Sequence, residues 1–276
     1  GADYANRFGN HNVTGLLLAK AQKYYVPTTN NFFTPSAVVG LLGRATYNYK
    51  EKYLAEVNAG YNGTEQFLEG KRFGFFPAFS VGWVISNENF FPASKWINFV
   101  KIRGSYGEVG NDQLGANSRR YLYLPSTFNI GQAGYYFGNS NGSVTNPYFA
   151  GAAEGNLGNP DVTWERAQKK NLGLDMRFLN NRLTFTADYF SDNRTGILTQ
   201  LDQIIPYIYG VPAASVPPQN VGRVTNHGYE LALGWNHRIG AVNYFINGNL
   251  NYARNKIIYR AESPKAFPWM LQAGYS

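Results

Sequence analysis

Between Trp164 and Leu198 the residues take turns. Leu172, Leu174, Met176 and Phe178 alternate with Asn171, Gly173, Asp175 and Arg177; beyond Leu179 the pattern resumes as Leu183, Phe185, Ala187 and Tyr189 against Thr184, Thr186 and Asp188. A period of two sends successive side chains to opposite faces of a strand. The run therefore predicts two strands, Trp164–Phe178 and Leu183–Phe190, each with one apolar and one polar face. Asn180-Asn181-Arg182 between them suits a tight turn, because Asn tolerates left-handed backbone angles. Repeated strands of this kind build either a soluble sandwich or an outer-membrane barrel.

The same pattern recurs along the chain, giving nine predicted strands. Val13–Tyr25 is mixed, because Leu16, Leu17 and Leu18 run together. Val38–Tyr49 follows, then Tyr53–Asn62, where Tyr53, Ala55, Val57, Ala59 and Tyr61 oppose Glu56, Asn58, Gly60 and Asn62. Tyrosine at both ends of that span matches two interfacial girdles, although tyrosine also favours strands in general. Phe73–Ile85 contains Pro77, which cannot donate to a ladder and predicts a bulge or a later start. Asn98–Glu108, the pair at 164–190, Gly228–Asn236 and Asn243–Tyr252 complete the set.

The connections discriminate between the two architectures. Taken in order they run 27–37, 50–52, 63–72, 87–97, 109–163, 179–182, 191–227 and 237–242, the odd ones longer and the even ones mostly tight. In an up-and-down meander every second connection falls on the same end, so one end carries the long loops, as in outer-membrane barrels. A Greek-key sandwich has no reason to keep that parity. The expected fold is all-β, an antiparallel up-and-down transmembrane β-barrel segment. Nine strands leave two open edges, which would template aggregation, so the chain is expected to be one piece of a longer barrel domain.

Composition agrees. Charged residues make up 15% and aromatics 16%, where ordinary soluble domains carry about 25% charge. No run of about 18 apolar residues is present, so no transmembrane helix is expected. The net charge of +8 raises the question of nucleic acid, but no basic stripe or recognition module accompanies it. Without cysteine, disulfide scaffolds and thiolate metal sites are excluded. Gly1 begins no signal peptide, so a surface location implies a processed or truncated chain.

Several stretches carry a family resemblance. Trp164-Glu165-Arg166, NLGLDMRFLNNRLTFTADYFSDNRTGIL and Gln219–Asn236 (QNVGRVTNHGYELALGWN) resemble the SusC/RagA-like TonB-dependent outer-membrane transporters. Tyr47–Phe67, Phe73–Phe91 and Trp96–Asn111 resemble the same barrel, in family order. The resemblance implies a plugged barrel of about 22 strands, of which this is a middle-to-late section without the plug or the closing strands. It further implies TonB-energised import of oligosaccharides or peptides across the outer membrane of a Gram-negative bacterium, with a SusD-like surface lipoprotein as lid. The alternative from the residues alone is a surface β-structure for adhesion or carbohydrate binding.

Two groups of residues are candidate sites. The loop 111–163 sets Tyr121, Tyr123, Phe128, Tyr135, Tyr136, Phe137, Tyr148 and Phe149 among Gly, Asn and Ser. Aromatic rings cover apolar sugar faces while amides meet hydroxyls, and the same mixture suits adaptable protein contacts. Tyr121, Tyr123, Tyr135, Tyr136, Phe137 and Tyr148 are the expected substrate or lid contacts, with packing of a long loop as the plainer reading. The loop 191–227, with Tyr207, Tyr209 and Pro217-Pro218, is the weaker candidate. Glu56, Asp175, Arg177, Asp188 and Glu230 are expected to face the lumen or plug, with solvation as their plainer role. His11, His227 and His237 have no metal-ligand spacing, and Asp161/Glu165 is too common a loop pairing to argue hydrolysis. No nucleophile motif or phosphate loop occurs, so neither an enzyme nor a cofactor is expected.

Overall fold

The structure, a computed structural model, describes residues 1–24, 36–92, 94–113, 120–126, 128–131, 134–136, 148–201 and 215–275. Ten long strands form one sheet: β1 (Ala2–Phe8), β2 (His11–Tyr24), β3 (Ser36–Tyr49), β4 (Tyr53–Thr64), β5 (Phe73–Val84), β6 (Ile97–Asn111), β11 (Glu165–Phe178), β12 (Leu183–Thr199), β13 (Gln219–Ile239) and β14 (Val242–Tyr259). Each pairs antiparallel with its neighbour in the sequence, in the order β1-β2-β3-β4-β5-β6-β11-β12-β13-β14. The insert between β6 and β11 adds two small ladders, β7 (Asn129–Ile130) with β10 (Ala152–Ala153) and β8 (Tyr135–Tyr136) with β9 (Tyr148–Phe149).

A sandwich needs two sheets whose inner faces interlock. Here the apolar face of the sheet carries no such partner among the described residues: Val57, Tyr61, Phe75, Val81, Leu172, Leu233 and Leu250 are all exposed. So large a continuous apolar surface suits hydrocarbon rather than water. The opposite face is polar. Register fixes it rank by rank, with Thr46, Glu56, Ser80, Ser105, Asn171 and Phe190 in one row and Gly82, Arg103, Gly173, Asp188 and Glu230 in the next.

The turns at one end are tight and chemically explicit. Lys50 and Glu51 both adopt positive φ (52° and 56°), and the Lys52 amide donates to the Tyr49 carbonyl at 2.9 Å. Leu179, Asn180 and Asn181 are likewise left-handed, as the Asn pair predicts. The turns are stitched to one another: Lys50 N–H donates to Asn10 O (2.9 Å), Leu179 N–H to Trp96 O (3.0 Å) and Asn236 N–H to Arg182 O (2.8 Å).

Several expectations need correction. The sheet has a tenth strand, β1, which pairs with β2 from Ala2↔Leu17 to Phe8↔His11. Strand β12 extends to Thr199, β13 begins at Gln219 and β14 reaches Tyr259, all well beyond the alternating cores. Pro77 lies inside β5, paired with Ala59 and without a register shift; the β5–β6 ladder starts one residue later, at Ala78, so the missing donor falls where that pairing stops. The connection 85–96 belongs to the tight end yet is longer than 65–72 at the other. It begins with a 3-10 turn at Ile85–Asn87, followed by a Glu88 side chain held by Lys52 Nζ (3.0 Å) and Trp83 Nε1 (3.1 Å).

Candidate functional site

The polar face carries the densest charge. Arg103 reaches from β6 across β11 to β12: Nε donates to Asp175 Oδ2 (3.2 Å), Nη1 to Asn171 Oδ1 (3.3 Å) and Nη2 to Asp188 Oδ2 (2.6 Å). Gly173 makes the crossing possible, since a Cβ there would stand 2.5 Å from the guanidinium carbon. Glu56 accepts from Arg44 (3.0 Å) and from Asn58 Nδ2 (2.8 Å), and the Arg177 guanidinium lies 4.8 Å from the Phe99 ring centroid. Glu230 stands directly opposite Asp188 across the β12–β13 ladder. All five predicted lumen residues thus share one face. Their register follows from the alternation, but the Arg103 bridge does not, because a cation spanning three strands leaves no periodic trace.

At the end carrying the long loops, two loops and the start of β5 share a small apolar core. Phe67 and Val162 are fully buried and pack with Phe76, Leu122 and Trp164. The Trp164 indole meets Phe67 and Phe76 edge-on at 5.5 and 5.2 Å. The Phe76 ring occupies the space that a side chain on Gly110 would need. Lys71 Nζ binds Asp161 Oδ1 (2.6 Å) and Pro160 O (3.0 Å), and Trp164 Nε1 donates to Arg72 O (3.3 Å). Asn220 clasps the bases of two loops: Oδ1 accepts from Thr163 N–H (2.9 Å), while Nδ2 donates to Thr163 O (2.9 Å) and Gly196 O (2.7 Å). Glu165 closes the other side, accepting from Leu198 N–H (3.0 Å) and Asn111 Nδ2 (2.9 Å). Composition gave no signal for this core, although Trp164-Glu165 and Gln219-Asn220 belong to the stretches that carry the resemblance.

The predicted aromatic contacts divide. Tyr121 and Tyr123 sit half-buried with ring centroids 6.0 Å apart. The Tyr121 hydroxyl donates to Glu65 Oε1 (3.2 Å), which also accepts from Arg120 (2.9 Å), and the Arg120 guanidinium covers the Tyr121 ring at 5.0 Å. Burial pushes the Tyr121 phenol above its ordinary value, Glu65 adds to the rise, and Arg120 opposes it. Tyr135, Tyr136 and Tyr148 lie elsewhere, on the β8–β9 ladder, where Tyr135 faces solvent and the backbones of Tyr136 and Tyr148 are paired. Phe137, Tyr207 and Tyr209 lie outside the described residues. Among the described residues no cluster of three or more His, Cys, Asp or Glu could hold a metal ion.

One antiparallel meander with an apolar outer face, a charged inner face and its long loops gathered at one end defines a section of a transmembrane β-barrel wall. A family model described as TonB dependent receptor-like, beta-barrel, matches residues 1–274, and the chain belongs to that family. It is 29% identical over 264 residues to TonB-dependent receptor P39 of Formosa agariphila, covering 94% of this chain and 22% of that protein. It is 28% identical over 203 residues to TonB-dependent receptor SusC of Bacteroides thetaiotaomicron, covering 73% and 19%. The chain therefore spans about a fifth of the length of these relatives. Among solved structures it resembles the RagAB peptide importer in its closed-closed state, with a TM-score of 0.73, 21% identity and coverage of 99% of this chain and 32% of that one. The siderophore receptor PirA of Pseudomonas aeruginosa shares the fold at a TM-score of 0.54 and 11% identity, covering 92% and 42%. The surface-sandwich alternative falls with the single-layered sheet.

Proposed function

We propose that this chain is part of the wall of an outer-membrane importer of a Gram-negative bacterium, which takes up oligosaccharides or peptides under TonB-supplied force beneath a SusD-like lipoprotein lid. The observation that carries the reading is the division of one meander into an apolar face for lipid and a charged face for a water-filled, plugged lumen, with its longest connections on one end. That division is what a barrel needs and a soluble sheet cannot tolerate. In this reading the long-loop end faces outward, and Tyr121, Tyr123, Tyr135, Tyr136, Phe137 and Tyr148 meet substrate or lid. Glu56, Asp175, Arg177, Asp188 and Glu230 line the lumen and meet the plug. The residues perform no bond chemistry; their role is to bind, orient and release.

The test uses the full-length protein in its own host. Deleting it is expected to abolish growth on at least one oligosaccharide or peptide mixture, and removing TonB is expected to abolish the same growth while leaving the barrel in the outer membrane. Fractionation of the protein to a soluble compartment, or uptake that persists without TonB, would contradict the reading.

A further inference from the structure

We infer that the inner wall carries a binding site for a neutral, hydroxyl-rich ligand, built on Asp192 of β12 and Asn226 of β13. The inference rests on the importer reading, to which it adds a site and a ligand chemistry. The two residues are direct partners across the β12–β13 ladder, on the face that also carries Asp188 and Phe190. They line a cavity of ≈ 310 Å³ whose other walls are Arg194, Ile197, Val224 and Asn255. That volume lies at the lower end of the range for small-molecule sites, about 300–1,000 Å³.

The polar inventory of this cavity is lopsided. Asp192 Oδ2 is committed, accepting from Lys169 Nζ at 3.0 Å and from Arg194 at 3.4 Å. Its other oxygen, Oδ1, is buried and without a hydrogen-bond partner among the described residues, and so is Asn226 Oδ1. The Asp192 side chain is 9% exposed, so bulk water does not compensate it. Two neighbouring buried acceptors left unpaired are unfavourable, and a ligand that brings donors relieves both at once. The ligand must therefore donate. A cation would also satisfy the two oxygens, but Lys169 and Arg194 beside the carboxylate leave the site with a net positive charge and repel it. Neutral hydroxyls meet both requirements, and adjacent hydroxyls of one sugar ring match two acceptors on paired strands. Ile197 and Val224 supply the apolar wall that the C–H face of such a ring needs.

The full-length protein, purified in detergent, tests the site by calorimetry. The probes are neutral hexasaccharides with glucose, galactose or mannose backbones, an uncharged hexapeptide of Gly, Ser and Asn, and calcium chloride. At least one saccharide is expected to bind, and Asn226→Leu is expected to weaken it at least tenfold while the heat-modifiable band of the folded barrel is retained. Should Asn226→Leu fail to assemble, Asn255→Leu on the exposed rim of the same cavity is read with the same expectation. Unchanged saccharide affinity in a folded variant, no saccharide binding to the parent, or calcium or peptide taking the site instead would each overturn the inference. So would a high-resolution map with the Asn226 amide turned to donate to Asp192 and only water in the cavity. The growth assay on the importer reading stays positive in all of these cases, so the two failures are distinguishable.

Discussion

At the residue scale, the wall is governed by which side chains meet lipid and which bridge strands. Val57 is exposed on the apolar face and Asn58 is its neighbour on the polar one. Val57→Arg should destabilise the assembled barrel by about 2–4 kcal/mol if it lies near the bilayer middle, whereas Asn58→Lys should change it by less than about 0.5 kcal/mol. Urea unfolding of the full-length protein in lipid measures both, and equal tolerance would contradict the facing. Arg103 is the second lever. Its side chain is 33% exposed and those of Asp175 and Asp188 are 28% and 13% exposed, so the network is only partly withdrawn from water. Replacing Arg103 with Met leaves two carboxylates without their cation; the expected loss is about 1–2 kcal/mol, below that of a fully buried pair. Gly173→Val should act in the same direction by blocking the guanidinium's path across β11. If Gly173→Val is silent while Arg103→Met is not, the path across β11 is not what holds Arg103.

At the scale of elements, loops and turns behave as assemblies. Asn220 makes three hydrogen bonds that join the base of 112–164 to β12 and to the start of β13. Asn220→Ala should therefore loosen the loops 112–164 and 200–218 together, by about 1–3 kcal/mol in hydrogen-exchange protection. Loosening of one loop alone would refute their coupling. At the tight end, hydrogen bonds from Tyr53, Lys52 and Trp83 pull the Glu88 carboxyl down to about 2. A carboxyl depressed on folding stabilises fully above its unfolded value and loses that contribution as pH falls through the folded one. Exchange protection of 85–96 should accordingly persist at pH 4 and fade toward pH 2, and Lys52→Met should move the loss to higher pH. Much of this was not legible in the sequence. Alternation revealed the strands only where one side meets lipid. In SDNRTGILT of β12 and QNVGRVTNH of β13 the ladder continues with polar side chains on both faces, and the period disappears. β1 carries no such signal, because Ala2–Phe8 is short and lacks β-branched residues. The core of Phe67, Leu122, Val162 and Trp164 is assembled from two loops and from positions forty or more residues apart within one of them, so no local pattern announces it.

At the scale of the whole molecule, the sheet is an open meander with β1 and β14 at its edges. After the loop 260–273, the Gly274 amide donates to Ile257 O (2.7 Å) and the Ile257 amide to Tyr275 O (3.0 Å), which tie the segment back to the free edge of β14. Glu262 shapes that loop by accepting from the amides of Gln272 and Ala273. A single-layered wall with its charge on one face makes the lipid-facing alternation the central claim. The direct measurement is a spin-label scan along β4 in the full-length protein in a bilayer, which is simple in this section because it contains no cysteine. Labels at Ala55, Val57, Ala59 and Tyr61 should be accessible to oxygen dissolved in lipid and protected from a water-soluble nickel complex, with the reverse at Glu56, Asn58 and Gly60. Accessibilities that fail to alternate with a period of two would contradict it.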